Sequence, residues 1–327
     1  MRLIVGVDLG GTSIVVGTIP EDGSTVYGPQ MRPTPSAQGP DAVVDRIVHL
    51  IHRSLDATRT QLRTDTLDVA GVGIGSPGPL DTETGVVILT PNLGWRNFPL
   101  RDRVTAAVGL PATLDNDANC ATFGEWWRGA ARGANHVVGI TIGTGVGGGL
   151  VRDGAIYHGA SDVAGEIGHM TVDMTGRQCK CGNYGCLEAY ASGPAIAARA
   201  AEELLAGART SLGEYVAGDL SKLTAQVVYE AASDGDELAL DVVKDTAKFL
   251  GVGIANVVNL LNPEIVVVAG GVTLAGDRLF QPLRAEVKRR AFRPAVDACR
   301  IVPGELPGMA GVYGAVAVFK QVTWGHV

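Results

Sequence analysis

Two periods of hydrophobic residues alternate along this chain. Residues 3–7 form a short continuous apolar run that reads as a buried strand, and residues 13–19 read as a second strand returning beside it across a Gly10-Gly11 turn. Residues 41–62 then place Val43, Val44, Ile47, Val48, Ile51 and Leu55 on one face of a helix. A strand pattern resumes at 69–74. Another, at 111–114, ends in Asp115-Asn116-Asp117, and residues 118–127 follow as a helix whose N-terminus sits at that acidic corner.

The second half repeats the opening. Residues 136–142 read as a strand, Gly143-Thr144-Gly145 as a turn and residues 147–151 as the returning strand, so the device of Val5 to Thr12 is used twice. A long helix is expected over 241–261, a strand over 265–268 ending at Ala269-Gly270-Gly271, a helix over 277–290 and a last apolar helix over 312–319. The polar stretch 210–224 reads as a solvated helical insertion. Strands alternating with helices predict an α/β architecture. The domain change is expected near Asn119, giving a smaller α/β domain over 1–118, rejoined by a terminal helix over 307–327, and a larger one over 119–306.

A length of 327 residues exceeds what one small core needs and favours two domains. With 46% hydrophobic and 19% charged residues the chain is an ordered globular one, and no run approaches the ~18 apolar residues of a membrane span. A net charge of -7 argues against a nucleic-acid partner, because binding a phosphate backbone takes clustered Lys and Arg. Phosphates, if bound, must then be held by backbone amides or a metal ion. The first strand starts directly after Met1, so no targeting segment is expected. The 45 glycines, without low complexity, mark many places where the backbone turns tightly or meets a ligand closely.

Three of the five cysteines, Cys179, Cys181 and Cys186, crowd into one Gly-rich stretch shortly after His169. One imidazole and three thiolates make the closed, tetrahedral set that zinc uses for structure, with no position left for water. A disulfide is the competing use, disfavoured by the odd cysteine count and the lack of a signal peptide. Cys120 and Cys299 sit among apolar neighbours and are expected in the core. Glu166 and Glu188 flank the cluster. A structural metal has no need of them, so the ordered loop is expected to present them to a polar substrate.

Gly143, Gly145 and Gly148, and likewise Gly73, Gly75 and Gly78, match the dinucleotide fingerprint in spacing only. That motif needs a helix starting inside it, whereas the first set runs into a strand and the second into Pro77 and Pro79. Paired glycine hairpins whose amides cradle anionic oxygens remain. Asp8 lies just before the first turn. Beside a polyphosphate it calls for Mg²⁺ between the charges, and its alternative use is bracing the turn. Asp117, at a strand-to-helix corner, suits either a general base or a helix N-cap. Trp95 and Trp126 can face a sugar or the core.

Taken together, Asp8 to Thr12, Asn116-Asp117-Ala118-Asn119, Gly143-Thr144-Gly145, Glu166-Ile167-Gly168-His169 and the run from Cys179-Lys180-Cys181-Gly182 to Gly185-Cys186-Leu187-Glu188 resemble the ROK family of sugar kinases and repressors over essentially the whole chain. The resemblance implies an α/β fold of two ribonuclease-H-like domains, of the actin and hexokinase ATPase type, around a central cleft. It implies Asp117 as catalytic base, and Gly78, Asn92, Asn116, Asp117, Glu166, His169 and Glu188 as the hexose-binding set. ATP with Mg²⁺ would be held by Asp8, Gly10, Gly11, Thr12, Gly143, Thr144, Gly145, Gly270 and Gly271, and structural Zn²⁺ by His169, Cys179, Cys181 and Cys186.

The expected activity is ATP-dependent phosphorylation of a hexose 6-hydroxyl. The stretches Pro91 to Arg96 and Asp115 to Arg128 look most like the family's glucokinases. N-acetylglucosamine, N-acetylmannosamine or fructose are alternative acceptors, since one chain does not reveal the pocket packing that tells them apart. A sugar-sensing regulator of the same family is the rival from another class. Such regulators carry an N-terminal helix-turn-helix, for which Met1 leaves no room. A cytoplasmic homo-oligomer, dimer or tetramer, without nucleic-acid or membrane partners, completes the expectation.

Overall fold

The structure, a computed structural model, describes residues 1–90 and 92–327, so Pro91, at the head of the Pro91 to Arg96 stretch, lies outside the described residues. In chain order the elements are β1 (Arg2–Leu9), β2 (Ser13–Pro20), β3 (Tyr27–Pro33), α1 (Pro40–Leu62), β4 (Asp68–Ser76), β5 (Leu80–Asp81), β6 (Val86–Thr90), β7 (Trp95–Phe98), α2 (Leu100–Val108), β8 (Ala112–Asn116) and α3 (Asp117–Arg128). The chain continues through β9 (His136–Ile142), β10 (Val146–Arg152), β11 (Ala155–Ile156), α4 (Glu188–Ala191), α5 (Gly193–Leu205), α6 (Leu212–Tyr215), α7 (Ala225–Ser233) and α8 (Glu237–Leu261). It ends in β12 (Ile265–Gly270), α9 (Asp277–Arg290), α10 (Arg293–Ala298), β13 (Arg300–Pro303) and α11 (Ala310–Trp324).

The repeat read from the glycine hairpins is a repeat of whole sheets. One sheet has the order β3-β2-β1-β4-β8 and the other β11-β10-β9-β12-β13, with β5-β6-β7 as a small third sheet. In the first, β1 pairs antiparallel with β2 and parallel with β4, which pairs parallel with β8. In the second, β9 and β13 flank β12, both parallel to it.

The chain divides into two compact units, Met1–Asn135 with Gly149–Gly165 and Glu305–Val327, and His136–Gly148 with Glu166–Gly304. The boundary therefore does not fall near Asn119. That residue lies inside α3, and α3 is locked to α11 by glycines: a Cβ on Gly314 would sit 1.6 Å from Cys120 O, and one on Gly124 2.1 Å from Ala310 O. Residues 149–165 also belong to the first unit, where a Cβ on Gly149 would lie 2.5 Å from Thr122 Oγ1.

In the first unit, α1 starts at Pro40, whose fixed φ suits the first helical turn. It buries Val43, Val44, Ile47, Ile51 and Leu55 as the periodicity requires, with Leu50 added and Val48 only half-buried. On β1 and β4, Gly6 and Gly73 let α11 approach so closely that a Cβ would lie 2.3 Å from Val312 O and 1.9 Å from Ala315 O. Gly73 thus serves helix packing rather than a dinucleotide.

The second unit is organised around α8, which Asp236 caps by accepting from Ala239 N and which buries Val243, Ala247, Leu250, Ile254 and Val258. The stretch 210–224 is not a solvated insertion. It holds only α6 and a 3-10 turn, and Leu212, Val216 and Leu223 anchor it in the core at 0%, 3% and 7% exposure. Cys299 is also not core: it is half-buried at the entry to β13, whereas Cys120 is buried. Trp95 is buried and Trp126 half-buried.

Candidate active site

In the first unit the polar residues collect at the C-terminal ends of the parallel strands, where α/β sheets place ligands. Register pairs Asp8 with Gly75, Gly75 with Asp115 and Ser76 with Asn116. The Asn116 side chain is the N-cap of α3, its Oδ1 accepting from Ala118 N at 2.9 Å and Asn119 N at 3.1 Å. Asp117 is thus the first residue of the helix and not its cap, and its Oδ1 accepts from Ala118 N at 2.9 Å.

Asp8 lies close enough to Asp117 to sense its charge. Burial first, and then Asp117, push the Asp8 carboxyl from 3.8 up to about 7. The residue as a whole is partly open to solvent, but its carboxyl is enclosed, since a Cβ on Gly311 would lie 2.4 Å from Asp8 Cγ. Burial likewise pushes the Cys120 thiol well above its ordinary range, with Asp115, Asp8 and Asp117 adding to it, so that three carboxylates lie within electrostatic reach of one sulfur. Crowded carboxylates of this kind fit a divalent cation beside Asp8.

A raised carboxyl pKa means that the contribution of Asp8 to stability is fully present below pH 3.8 and is lost as pH rises through about 7. Its ionisation costs the fold up to roughly 4 kcal/mol. Without added Mg²⁺ or nucleotide, Asp8→Asn is expected to raise the melting temperature by several degrees at pH 8, with the gain vanishing toward pH 4. A gain that persists unchanged at pH 4 would contradict the assignment.

Nearby, the β1–β2 turn is closed by Gly10 N donating to Ser13 O at 2.9 Å, and Thr34 Oγ1 donates to Gly10 O at 2.8 Å. A Cβ on Gly11 would lie 3.5 Å from Asn92 Cβ, and one on Gly78 3.6 Å from Asn116 Nδ2. Gly78, Asn92, Asn116, Asp117, Asp8 and the Gly10 to Thr12 turn therefore all belong to the first unit. Glu166, His169, the three cysteines, Glu188, Gly143 to Gly145, Gly270 and Gly271 belong to the second.

In that second unit His169 Nδ1, Cys179, Cys181 and Cys186 offer ligand atoms that all lie within 4.8 Å of one another. The Cys181 and Cys186 sulfurs are 3.7 Å apart and Cys179 Sγ is 3.9 Å from His169 Nδ1. A disulfide needs about 2.05 Å, whereas tetrahedral zinc with bonds of about 2.3 Å gives sulfur separations of about 3.8 Å. The donor set fits zinc in chemistry and spacing.

The hairpin bearing the cysteines is closed by Cys179 N donating to Asn183 O at 2.7 Å and turns through Gly182 and Gly185, with φ of 96° and 71°. Those angles favour glycine. The thiols are not equivalent. Burial pushes Cys179 up to about 12, while the Asn183 backbone amide lowers Cys181.

The flanking carboxylates are tied to this cluster. Cys179 Sγ lies 3.8 Å from Glu188 Oε1, and Glu188 Oε2 accepts from Val146 N at 2.9 Å, joining the cluster to the Gly143 turn. His169 Nε2, on the other side of the ring from the thiols, stands 3.9 Å from Glu166 Oε2. The turn itself is closed by Gly143 N donating to Gly145 O, and Gly143 O accepts from Gly193 N at the start of α5. Gly270 has φ of 103°, and a Cβ there would lie 2.0 Å from Ile142 O.

Beside this turn lies a cavity of about 460 Å³ lined by Gly143, Thr144, Pro194, Gln226, Tyr229 and Gly271 among others. Gly145 and Gly270 do not line it. Beyond the glycine turns, α5 supplies Pro194 and Ala197 to this cavity and α7 supplies Ala225, Gln226 and Tyr229. A signal existed in Ser192-Gly193-Pro194, a helix start with a serine cap and proline in the first turn.

The doubled sheet, with glycine turns at its strand ends, is the two-domain architecture of actin- and hexokinase-type ATPases, shared with solved ROK kinases. The ROK family profile matches residues 4–322, and the chain belongs to the ROK family. It is 39% identical to a glucokinase of Halalkalibacterium halodurans over 98% of this chain and 96% of that one. With a Thermotoga maritima glucokinase it shares 37% identity over 97% of each chain. Among solved structures, a ROK family glucokinase from Streptomyces griseus in complex with glucose and AMPPNP is 33% identical with a TM-score of 0.82, covering 97% of this chain and 98% of that one.

Proposed function

We propose that the protein is an ATP-dependent hexose kinase that phosphorylates the 6-hydroxyl of glucose. The observation that carries this reading is the Asp8 and Asp117 pair, Asp8 near the end of β1 and Asp117 at the first position of α3 just past β8, beside a glycine turn, in a chain of this family. Phosphoryl transfer asks a protein mainly for positioning, charge neutralisation and one carboxylate to accept the acceptor's proton.

Asp117 takes the proton of the 6-hydroxyl. Its seat at the first position of α3 puts it at the positive end of the helix dipole, which favours the carboxylate. Asn116 spends Oδ1 on the helix cap and so offers Nδ2 as a donor to the sugar. Gly78 lies beside that amide, the position a Cβ would take there being 3.6 Å from Asn116 Nδ2. Asn92 adds a further amide, while Glu166, Glu188 and His169 Nε2 supply acceptors and a donor for the remaining hydroxyls.

For the nucleotide, amides of Gly10, Gly11 and Thr12 and of Gly143, Thr144 and Gly145 receive phosphate oxygens, and the cavity bordered by Tyr229 and Gly271 takes the adenosine. Asp8 would hold Mg²⁺, which would supply charge neutralisation for the phosphates. His169, Cys179, Cys181 and Cys186 would hold Zn²⁺, which would order the loop and select the imidazole tautomer that leaves Nε2 a donor.

The test is a coupled assay of ADP release with ATP and a panel of hexoses. Glucose is expected to give the highest kcat/KM and glucose 6-phosphate as product. A higher value for fructose or an N-acetylhexosamine reassigns the acceptor, and no sugar-dependent ADP release with any hexose overturns the kinase reading.

A further inference from the structure

The segment after β11 carries a histidine that none of the roles above uses. His158 Nε2 lies 2.7 Å from Asp115 Oδ2. The other oxygen of that carboxylate accepts from Asn116 N at 2.7 Å and from Asn119 Nδ2 at 3.1 Å. Asp115 is buried, at 2% exposure, and stands two residues before Asp117. Its carboxylate thus gathers donors from the end of β8, the first turn of α3 and a third segment, and His158 supplies the only donor among these that is remote in sequence.

The segment bearing His158 is itself held in place. Ala164 N donates to His158 O at 3.1 Å, and Asp162 Oδ2 accepts from Thr82 N at 2.9 Å and Thr82 Oγ1 at 3.1 Å, between β5 and β6. The histidine is therefore mounted on a tied loop. The charges acting on it are those of Asp115 on β8 and Asp162 on its own loop, and the Asp115 hydrogen bond favours the protonated ring.

We propose that His158 is a positioning residue for phosphoryl transfer: through its Nε2 hydrogen bond to Asp115 it fixes the β8–α3 corner, and with it the direction in which Asp117 meets the sugar hydroxyl. The proposal rests on Asp117 being the proton acceptor. A buried carboxylate that loses a donor must recruit another or shift, and here a shift moves the first turn of α3. Misplacing a reacting group by about 1 Å can cost about 10²-fold in rate.

Two substitutions isolate the hydrogen bond. The amide nitrogen of Gln can occupy the place of Nε2, whereas that of Asn matches Nδ1 and does not reach Asp115. In the full-length enzyme with ATP and glucose, His158→Asn is expected to lower kcat about tenfold to a hundredfold with KM for glucose changed less than about threefold, and His158→Gln to restore kcat to within about threefold of the unmodified protein. Circular dichroism and thermal unfolding of both variants verify the fold.

Near-normal kcat in His158→Asn, equal losses in both variants, or a rise in KM without loss of kcat each overturn the proposal. Asp117→Asn run alongside separates the two levels. If it keeps full turnover, the base assignment falls, and if it is inactive while His158→Asn is normal, only the role of His158 falls.

Discussion

Replacing Asp117 with asparagine is expected to lower kcat by about 10²- to 10⁴-fold while glucose affinity stays within about threefold. The substitution preserves the start of the helix. Asn keeps an oxygen to accept from Ala118 N, and the cap of α3 is supplied by Asn116, so the helix start survives. What disappears is the negative charge and the ability to accept a proton. Substrate hydroxyls still find an amide there, which is why binding and turnover separate.

A second readout follows from Asp8, whose carboxyl is held up partly by the charge of Asp117. In Asp117→Asn that contribution is removed, so the pH at which Asp8 ionises moves down toward the ordinary carboxylate range. Single-turnover kinetics with glucose and ATP, paired with calorimetric glucose binding, check the main claim, and turnover within a few-fold of normal would remove Asp117 from the mechanism.

The parts of the fold visible in the sequence are those whose cause is local. The apolar run at Leu3 to Val7, the helical face from Val43 to Leu55 and the glycine hairpins state their period within a few residues, and β1, α1 and the turns followed from them. The corner Asp115-Asn116-Asp117 was legible because its chemistry is concentrated, although β8 extends through Asn116 and α3 starts one residue earlier than expected.

What the sequence hid are long-range consequences. Residues 149–165 join the first unit because Gly149 packs on Thr122 of α3, and no local pattern announces which unit a strand will pack against. His158 stands alone in a loop, 43 positions from the carboxylate that gives it meaning. The cavity by Tyr229 is assembled from strand ends and two helices scattered over more than a hundred positions, so only the glycine turns at its edge were readable. The 210–224 stretch misled because its mean polarity outweighed the three apolar anchors that place it.

On the proposed zinc assignment, loss of the metal is expected to weaken sugar recognition as well as local stability. Cys181→Ala is the informative variant, because this thiol is exposed, so its truncation removes little packing and its effect reports on the metal. Zinc content, measured by atomic emission, should fall to near zero. The positions that depend on the cluster are the ones assigned to the hexose: Cys179 Sγ sits 3.8 Å from Glu188 Oε1, and His169 places Nδ1 toward the thiols and Nε2 3.9 Å from Glu166 Oε2. Without the ion, nothing selects the tautomer that leaves Nε2 a donor, and the Gly182 and Gly185 turns are no longer closed by a shared centre. Glucose affinity is expected to weaken by at least about tenfold, with the melting temperature lowered. Isothermal titration of glucose into zinc-free but folded Cys181→Ala decides the matter. Glucose affinity equal to that of the metal-loaded protein would uncouple the metal from the sugar and leave it a staple only.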